Sequence, residues 1–134
     1  MEIIVYAALG PSGEERALAR RLLAEALARE RGLTGLPAIA AGANGKPFFP
    51  DRPDLQFNLS HSHGAAVCAL HHLPIGVDVE RLRPAPRRLS RGMDDGDFFR
   101  LWTAKEATIK RRALPCAPCF GRFIHFLYKH HAKL

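Results

Sequence analysis

Ile75-Gly76-Val77-Asp78-Val79-Glu80 is the stretch that decides how the chain is organised. Its β-branched residues alternate with others, the pattern of a strand. Residues two apart on a strand face the same way, so Val77 and Val79 share one side and Asp78 and Glu80 the other. The two acids then stand about 7 Å apart at the backbone. Carboxylates that close repel, and a hard divalent cation such as Mg²⁺, which prefers oxygen ligands, removes the conflict. A sheet-edge strand carrying two solvated acids is the other reading of the same residues.

On the N-terminal side the chain reads as one helix among short strands. Ile3 to Ala8 forms a first strand, broken by Gly10-Pro11-Ser12-Gly13. Ser12 with Glu15 three residues on is a capping-box pattern, and a helix is expected from about Gly13 to Arg31, rich in Ala, Leu, Arg and Glu. Leu18, Leu22, Leu23, Ala26 and Leu27 cover one face of it, and Gly32 is a helix stop. Residues 33–45 are an irregular link ending in the Asn44-Gly45 turn. Leu55 to Leu59 is a strand, Ser60-His61-Ser62-His63-Gly64 a polar break, and Ala65 to His71 another strand. Residues 46–80 thus form several short antiparallel strands after a helix, an α+β layout.

On the C-terminal side Arg81 to Gly96 is a proline-, glycine- and charge-rich link. Asp97 is the expected N-cap of a second helix from Phe98 to about Arg112, ended by Pro115. Trp102, Glu106 and Lys110 fall on one stripe of that helix, four residues apart. Residues 113–134 show no clear period.

The 134 residues are 47% apolar and 25% charged, a globular composition. No run reaches the eighteen or so apolar residues of a membrane span. The first residues, Met1-Glu2-Ile3-Ile4-Val5, carry no signal-peptide pattern, and three cysteines make no disulfide framework. A cytoplasmic, membrane-free setting is the expectation. The net charge is +7, and Lys110, Arg111, Arg112, Arg122, Lys129 and Lys133 supply six positive charges in a stretch without an acid. Such a segment can meet nucleic acid, a phosphorylated ligand or an acidic protein. The basic residues are not set in a nucleic-acid motif.

Three groups could carry chemistry. Ser60 and His61 are adjacent on an extended segment and point apart, so they do not pair as nucleophile and base. With Lys46 in a nearby hairpin they suit phosphate binding, and turn formation is the alternative. Glu106 and Lys110 are either a helix surface pair or, if Glu106 faces Asp78 and Glu80, a third oxygen ligand with a phosphate-binding lysine one turn on. Cys116-x-x-Cys119 with His125 and His130 offers zinc ligands on paper, without the glycines of a zinc knuckle.

Read together, Gly45-Lys46-Pro47, Phe57-Asn58-Leu59-Ser60-His61-Ser62, Ile75-Gly76-Val77-Asp78-Val79-Glu80 and Phe99-x-x-Trp102-Thr103-x-Lys105-Glu106-Ala107-x-x-Lys110 resemble, in order, the signatures of 4′-phosphopantetheinyl transferases. The type is the larger, pseudo-dimeric one that serves carrier proteins of peptide, polyketide and fatty-acid assembly. The resemblance implies an α+β fold with a helix on a small antiparallel sheet. Residues 1–74 would form an N-terminal half with the coenzyme A motifs, residues 75–112 an abridged C-terminal half with the metal-binding strand and helix, and residues 113–134 an atypical basic tail.

It also implies a Mg²⁺-dependent transfer of phosphopantetheine from coenzyme A to a serine of an apo carrier protein. Asp78, Glu80 and Glu106 would hold Mg²⁺ on the pyrophosphate. Lys110 would contact a phosphate, and Glu106 would take the serine proton directly or through a water. Lys46, Ser60 and His61 would bind coenzyme A phosphates, with Arg20 or Arg21 a loose match to a further arginine. The sequence departs from the family at 81–101, where the link is short, and after Lys110, where the second pseudo-symmetric half is incomplete. A second copy of the chain would be one way to supply the missing surface. A coenzyme A-binding remnant without turnover and a basic nucleic-acid-binding module are the alternative functions.

Overall fold

The computed structural model describes residues 3–81, 84–112 and 123–128, the backbone alone for 44, 107–112 and 123–128. It is an α+β fold built in layers. Strand β1 (Ile4–Leu9) leads into helix α1 (Glu15–Arg31), then a small hairpin of β2 (Ala40–Ala41) and β3 (Pro47–Phe48). Strands β4 (Gln56–Ser62) and β5 (Ala65–His71) follow. The first sheet is antiparallel with strand order β1-β5-β4.

Side-chain parity divides the two faces of this sheet. Tyr6, Ala8, Phe57, Leu59, Ala66, Cys68 and Leu70 meet Ala19, Leu23, Ala26 and Leu27 of α1, with Phe49 and Leu55 closing the rim. Val5, Ala65, Val67 and Ala69, one residue out of step, face the other way onto Ile75, Val77 and Val79. All seven residues of β5 are therefore buried, because both of its faces are covered. Cys68 lies in this double-sided core, and burial pushes its thiol up to about 12.

The expected end of α1 holds. Gly32 adopts a left-handed conformation, its N–H bonding to the carbonyl of Ala28, and Leu33 N–H reaches that of Leu27 at 3.3 Å. The start differs. The helix begins at Glu15, and Ser12 makes no cap. Glu15 instead accepts Gly13 N–H at 2.8 Å and Gly64 N–H at 2.7 Å. It ties the helix entrance to the β4–β5 turn, and those amides, with its own, hold its carboxyl below the ordinary value.

Residues 60–62 are not a break. Strand β4 runs through them to Ser62, and His63-Gly64 alone makes the turn, with φ of 41° and 86°. Two consecutive positive φ values are the signature of a type I′ hairpin, whose twist matches the strands it joins. A side chain at Gly64 would also place its Cβ 2.9 Å from the carbonyl oxygen of Gly10, whose N–H bonds to Gly64 O at 2.8 Å.

Strand β6 (Gly76–Arg81) leaves the antiparallel sheet and lies over its second face. It pairs in parallel with β7 (Phe123–Tyr128), Asp78 opposite His125 and Glu80 opposite Leu127. Parallel neighbours need a crossover, and helix α3 (Asp95–Arg112) supplies it, packing on both strands. Residues 123–128, read from the sequence as part of a shapeless tail, thus form a strand. The link before α3 holds one helical turn, α2 (Arg87–Ser90). The N-cap of α3 is Asp94 rather than Asp97: its carboxylate accepts Gly96 N–H at 2.9 Å and Asp97 N–H at 3.3 Å. Asp95 is drawn to Ala85 N–H at 2.7 Å, which fixes the helix start three residues early. Phe99 and Thr103 form the buried stripe of α3, the Thr103 hydroxyl donating to the Phe99 carbonyl at 2.8 Å. No helix among the described residues is long and apolar enough to cross a membrane.

Candidate functional site

Strands β4 and β6 are joined by side chains in place of a backbone ladder. Asn58, Ser60 and Ser62 share one face of β4, two residues apart. Asn58 Oδ1 accepts Val77 N–H at 2.7 Å, and Ser60 Oγ accepts Val79 N–H at 3.2 Å. The same Ser60 hydroxyl donates to Asp78 Oδ1 at 3.0 Å, and the Ser62 hydroxyl donates to Glu80 Oε1 at 2.9 Å. Arg81 N–H also reaches Glu80 Oε1, at 3.2 Å. The seam satisfies the Val77 and Val79 N–H groups and at the same time sets the two acidic side chains.

That seam opens into a cleft of about 300 Å³ lined by Leu59, Ser60, His61, Asp78, Val79, Glu80, Trp102 and Glu106. Strands β4 and β6 give the floor, and α3 contributes Trp102 and, one turn on, Glu106. Asp78 is only 6% exposed, while Glu80 and Glu106 are half-buried. Trp102 stacks on Phe98, ring centroids 6.1 Å apart. Five candidates read from the sequence, Ser60, His61, Asp78, Glu80 and Glu106, therefore line one space.

Among the described residues no three His, Cys, Asp or Glu side chains stand close enough together to hold a metal ion by themselves. The cleft instead offers three carboxylates spread over its walls, all hard oxygen donors. Mg²⁺ is commonly held by one or two carboxylates, substrate phosphates and waters rather than by a closed protein cage. The donor chemistry fits such a shared site.

No protein-family model matches the chain. Curated proteins do. Sfp of Bacillus subtilis (strain 168), a 4′-phosphopantetheinyl transferase, is 35% identical over 83 residues, covering 50% of this chain and 37% of Sfp. HetI of Nostoc sp., of the same name, is 40% identical over 90 residues, covering 51% of this chain and 38% of HetI. AcpT of Salmonella typhimurium, again a 4′-phosphopantetheinyl transferase, is 33% identical over 126 residues, covering 78% of this chain and 63% of AcpT. The chain is thus similar to 4′-phosphopantetheinyl transferases over 50% to 78% of its own length. It spans less than two thirds of the length of these relatives.

Beside that similarity, the placement of the remaining candidates is informative. Lys46 is buried, and its ammonium donates to the Ile75 carbonyl at 2.9 Å. It lies outside the residues lining the cleft and anchors the chain where it enters β6. Arg20 and Arg21 are on the exposed surface of α1, also outside that lining. Lys110 follows Glu106 by one turn of α3, where the backbone is described and the side chain is not. Cys116, Cys119 and His130 fall outside the described residues, and His125 sits in β7 with its backbone alone described. Sequence reasoning missed Asn58 and Ser62 as partners of β6. Their alternation with Ser60 was the available signal: three polar side chains at i, i+2 and i+4 on one strand face need a polar neighbour.

Proposed function

We propose that the chain transfers the 4′-phosphopantetheine group of coenzyme A to a serine of an apo carrier protein, with Mg²⁺. The observation that carries this reading is the gathering of Ser60, His61, Asp78, Glu80 and Glu106, drawn from two strands and a helix, around one cleft. A cleft so rich in carboxylates would repel a pyrophosphate, and a bound dication would supply the charge neutralisation and help orient the reacting groups. Asp78, Glu80 and Glu106 would hold it.

The remaining work falls to the protein. The carrier serine oxygen forms a bond to the β-phosphorus, the bond from that phosphorus to the bridging oxygen breaks, and 3′,5′-ADP leaves. Glu106, directly or through a water, takes the serine proton. His61 and the Ser60 hydroxyl, already shared with Asp78, face the phosphates, and Lys110 would meet a further phosphate oxygen. Lys46 and Arg20 are assigned to coenzyme A from the sequence, and neither lines the cleft. Lys46, held at Ile75, would act by fixing the entry of β6, and Arg20 would have to be met by the outer part of the ligand. The setting is cytoplasmic, where coenzyme A and apo carrier proteins meet.

The test is the intact mass of an apo carrier protein incubated with the chain, coenzyme A and Mg²⁺. The expected result is a gain of one phosphopantetheine, lost with Asp78→Ala and with Glu106→Ala, each worth at least about a hundredfold in rate. Full turnover by both variants would overturn the site.

A further inference from the structure

Ser62 lies beyond the residues lining the cleft, yet it reaches one that does. Its hydroxyl donates to Glu80 Oε1 at 2.9 Å, and its oxygen also lies 2.9 Å from His63 Nδ1. A serine hydroxyl has one proton and two acceptor positions, and a carboxylate can only accept. With that proton given to Glu80, the contact to His63 must run the other way, from Nδ1–H to the Ser62 oxygen. The hairpin enforces this placement, because His63 is held at a φ of 41° beside Gly64 at 86°. The hydrogen bonds thus run in one direction, His63 to Ser62 to Glu80.

We infer that Ser62 is a positioning residue for Glu80, with His63 setting the direction of its hydroxyl. This rests on the reading of Asp78, Glu80 and Glu106 as ligands of a divalent cation shared with coenzyme A. A glutamate side chain has three rotatable bonds. The Ser62 hydroxyl and Arg81 N–H converge on one of its oxygens, which narrows the orientations from which Glu80 can meet a cation. Hydrogen-bond partners behind a ligating carboxylate are commonly worth ten- to a hundredfold in metal affinity.

The test titrates Mn²⁺ into the full chain with coenzyme A present, reading free Mn²⁺ by electron paramagnetic resonance, with the thermal midpoint of each metal-free variant measured alongside. Ser62→Ala is expected to weaken Mn²⁺ binding about tenfold or more, and Ser62→Thr, which keeps the hydroxyl, to restore it. Ser62→Val against Ser62→Thr makes the same comparison if the alanine variant folds poorly, since the pair differ by a hydroxyl for a methyl. His63→Ala is expected to give a smaller loss in the same direction. Binding by Ser62→Ala and Ser62→Val within about twofold of the parent, while Glu80→Ala loses it, would overturn the role of Ser62 and leave the cleft reading standing. Unchanged binding by Glu80→Ala would overturn both.

Discussion

Across one face of the β1-β5-β4 sheet lie Leu23, Leu27, Phe57 and Leu70, each at most 3% exposed. Beside β4 on the other face lie Asn58, Ser60 and Ser62, each bonded to β6. The first contact is non-directional, and any side chains of suitable volume would serve it. The second is directional: it places Asp78 and Glu80 at stated distances from named hydroxyls. The comparison shows a division of labour. The helix side supplies the free energy that keeps the sheet intact. The strand side spends some of the chain's polar groups on aiming two carboxylates.

The largest effect on stability should therefore come from the helix side. Leu23→Ala is expected to cost about 2–5 kcal/mol in denaturant unfolding, with the Mn²⁺ affinity of the folded protein unchanged. A matching loss of affinity would mean that the two faces are coupled. Asn58→Ala, which removes the acceptor used by Val77 N–H, should cost about 1–3 kcal/mol. It should also weaken metal binding, because β6 is what that amide positions. A purely structural loss would show that the seam holds without aiming.

The smallest effect is expected at Glu15, which joins the two sides at the hairpin. Its carboxyl is held below the ordinary 4.5 by backbone N–H groups, chiefly its own and those of Gly64 and Gly13. A lowered folded value means that the native state favours the carboxylate. Its contribution is present above the unfolded value and lost as pH falls through the folded one. Unfolding curves between neutral and acid pH should show a shallower acid loss for Glu15→Gln than for the parent chain. Identical slopes would remove Glu15 from that role.

Much of this arrangement was legible in the residues. The alternation at 75–80 correctly separated Val77 and Val79 from the two acids, and the stripe of α3 carried Glu106 to them. The continuation of β4 through Ser62 was not legible, since serine and histidine beside a glycine read as turn formers. Only the partner strand, eighteen residues away, shows that the serines are paired. Strand β7 was hidden for a similar reason: its parallel partner lies across a whole helix, and such pairings leave no local trace. The cap of α3 read as Asp97, and nothing local showed that Asp94 would take the helix N–H groups while Ala85 N–H claimed Asp95. Lys46 read as a surface cation reaching for phosphate, and nothing local announced the Ile75 carbonyl that holds it.

The two-residue turn at His63-Gly64 has a consequence for how this chain tolerates change. It locks β4 to β5 in one register, Ser62 opposite Ala65. Because alternate residues of a strand face opposite ways, a slip by one would carry Asn58, Ser60 and Ser62 round to the greasy side beneath α1. The hairpin thus acts as a gauge block for the whole cleft. Surface turns are ordinarily the places where insertions are harmless. Here a single added residue at the tip would leave a chain that still has every acid of the cleft and no means of aiming them.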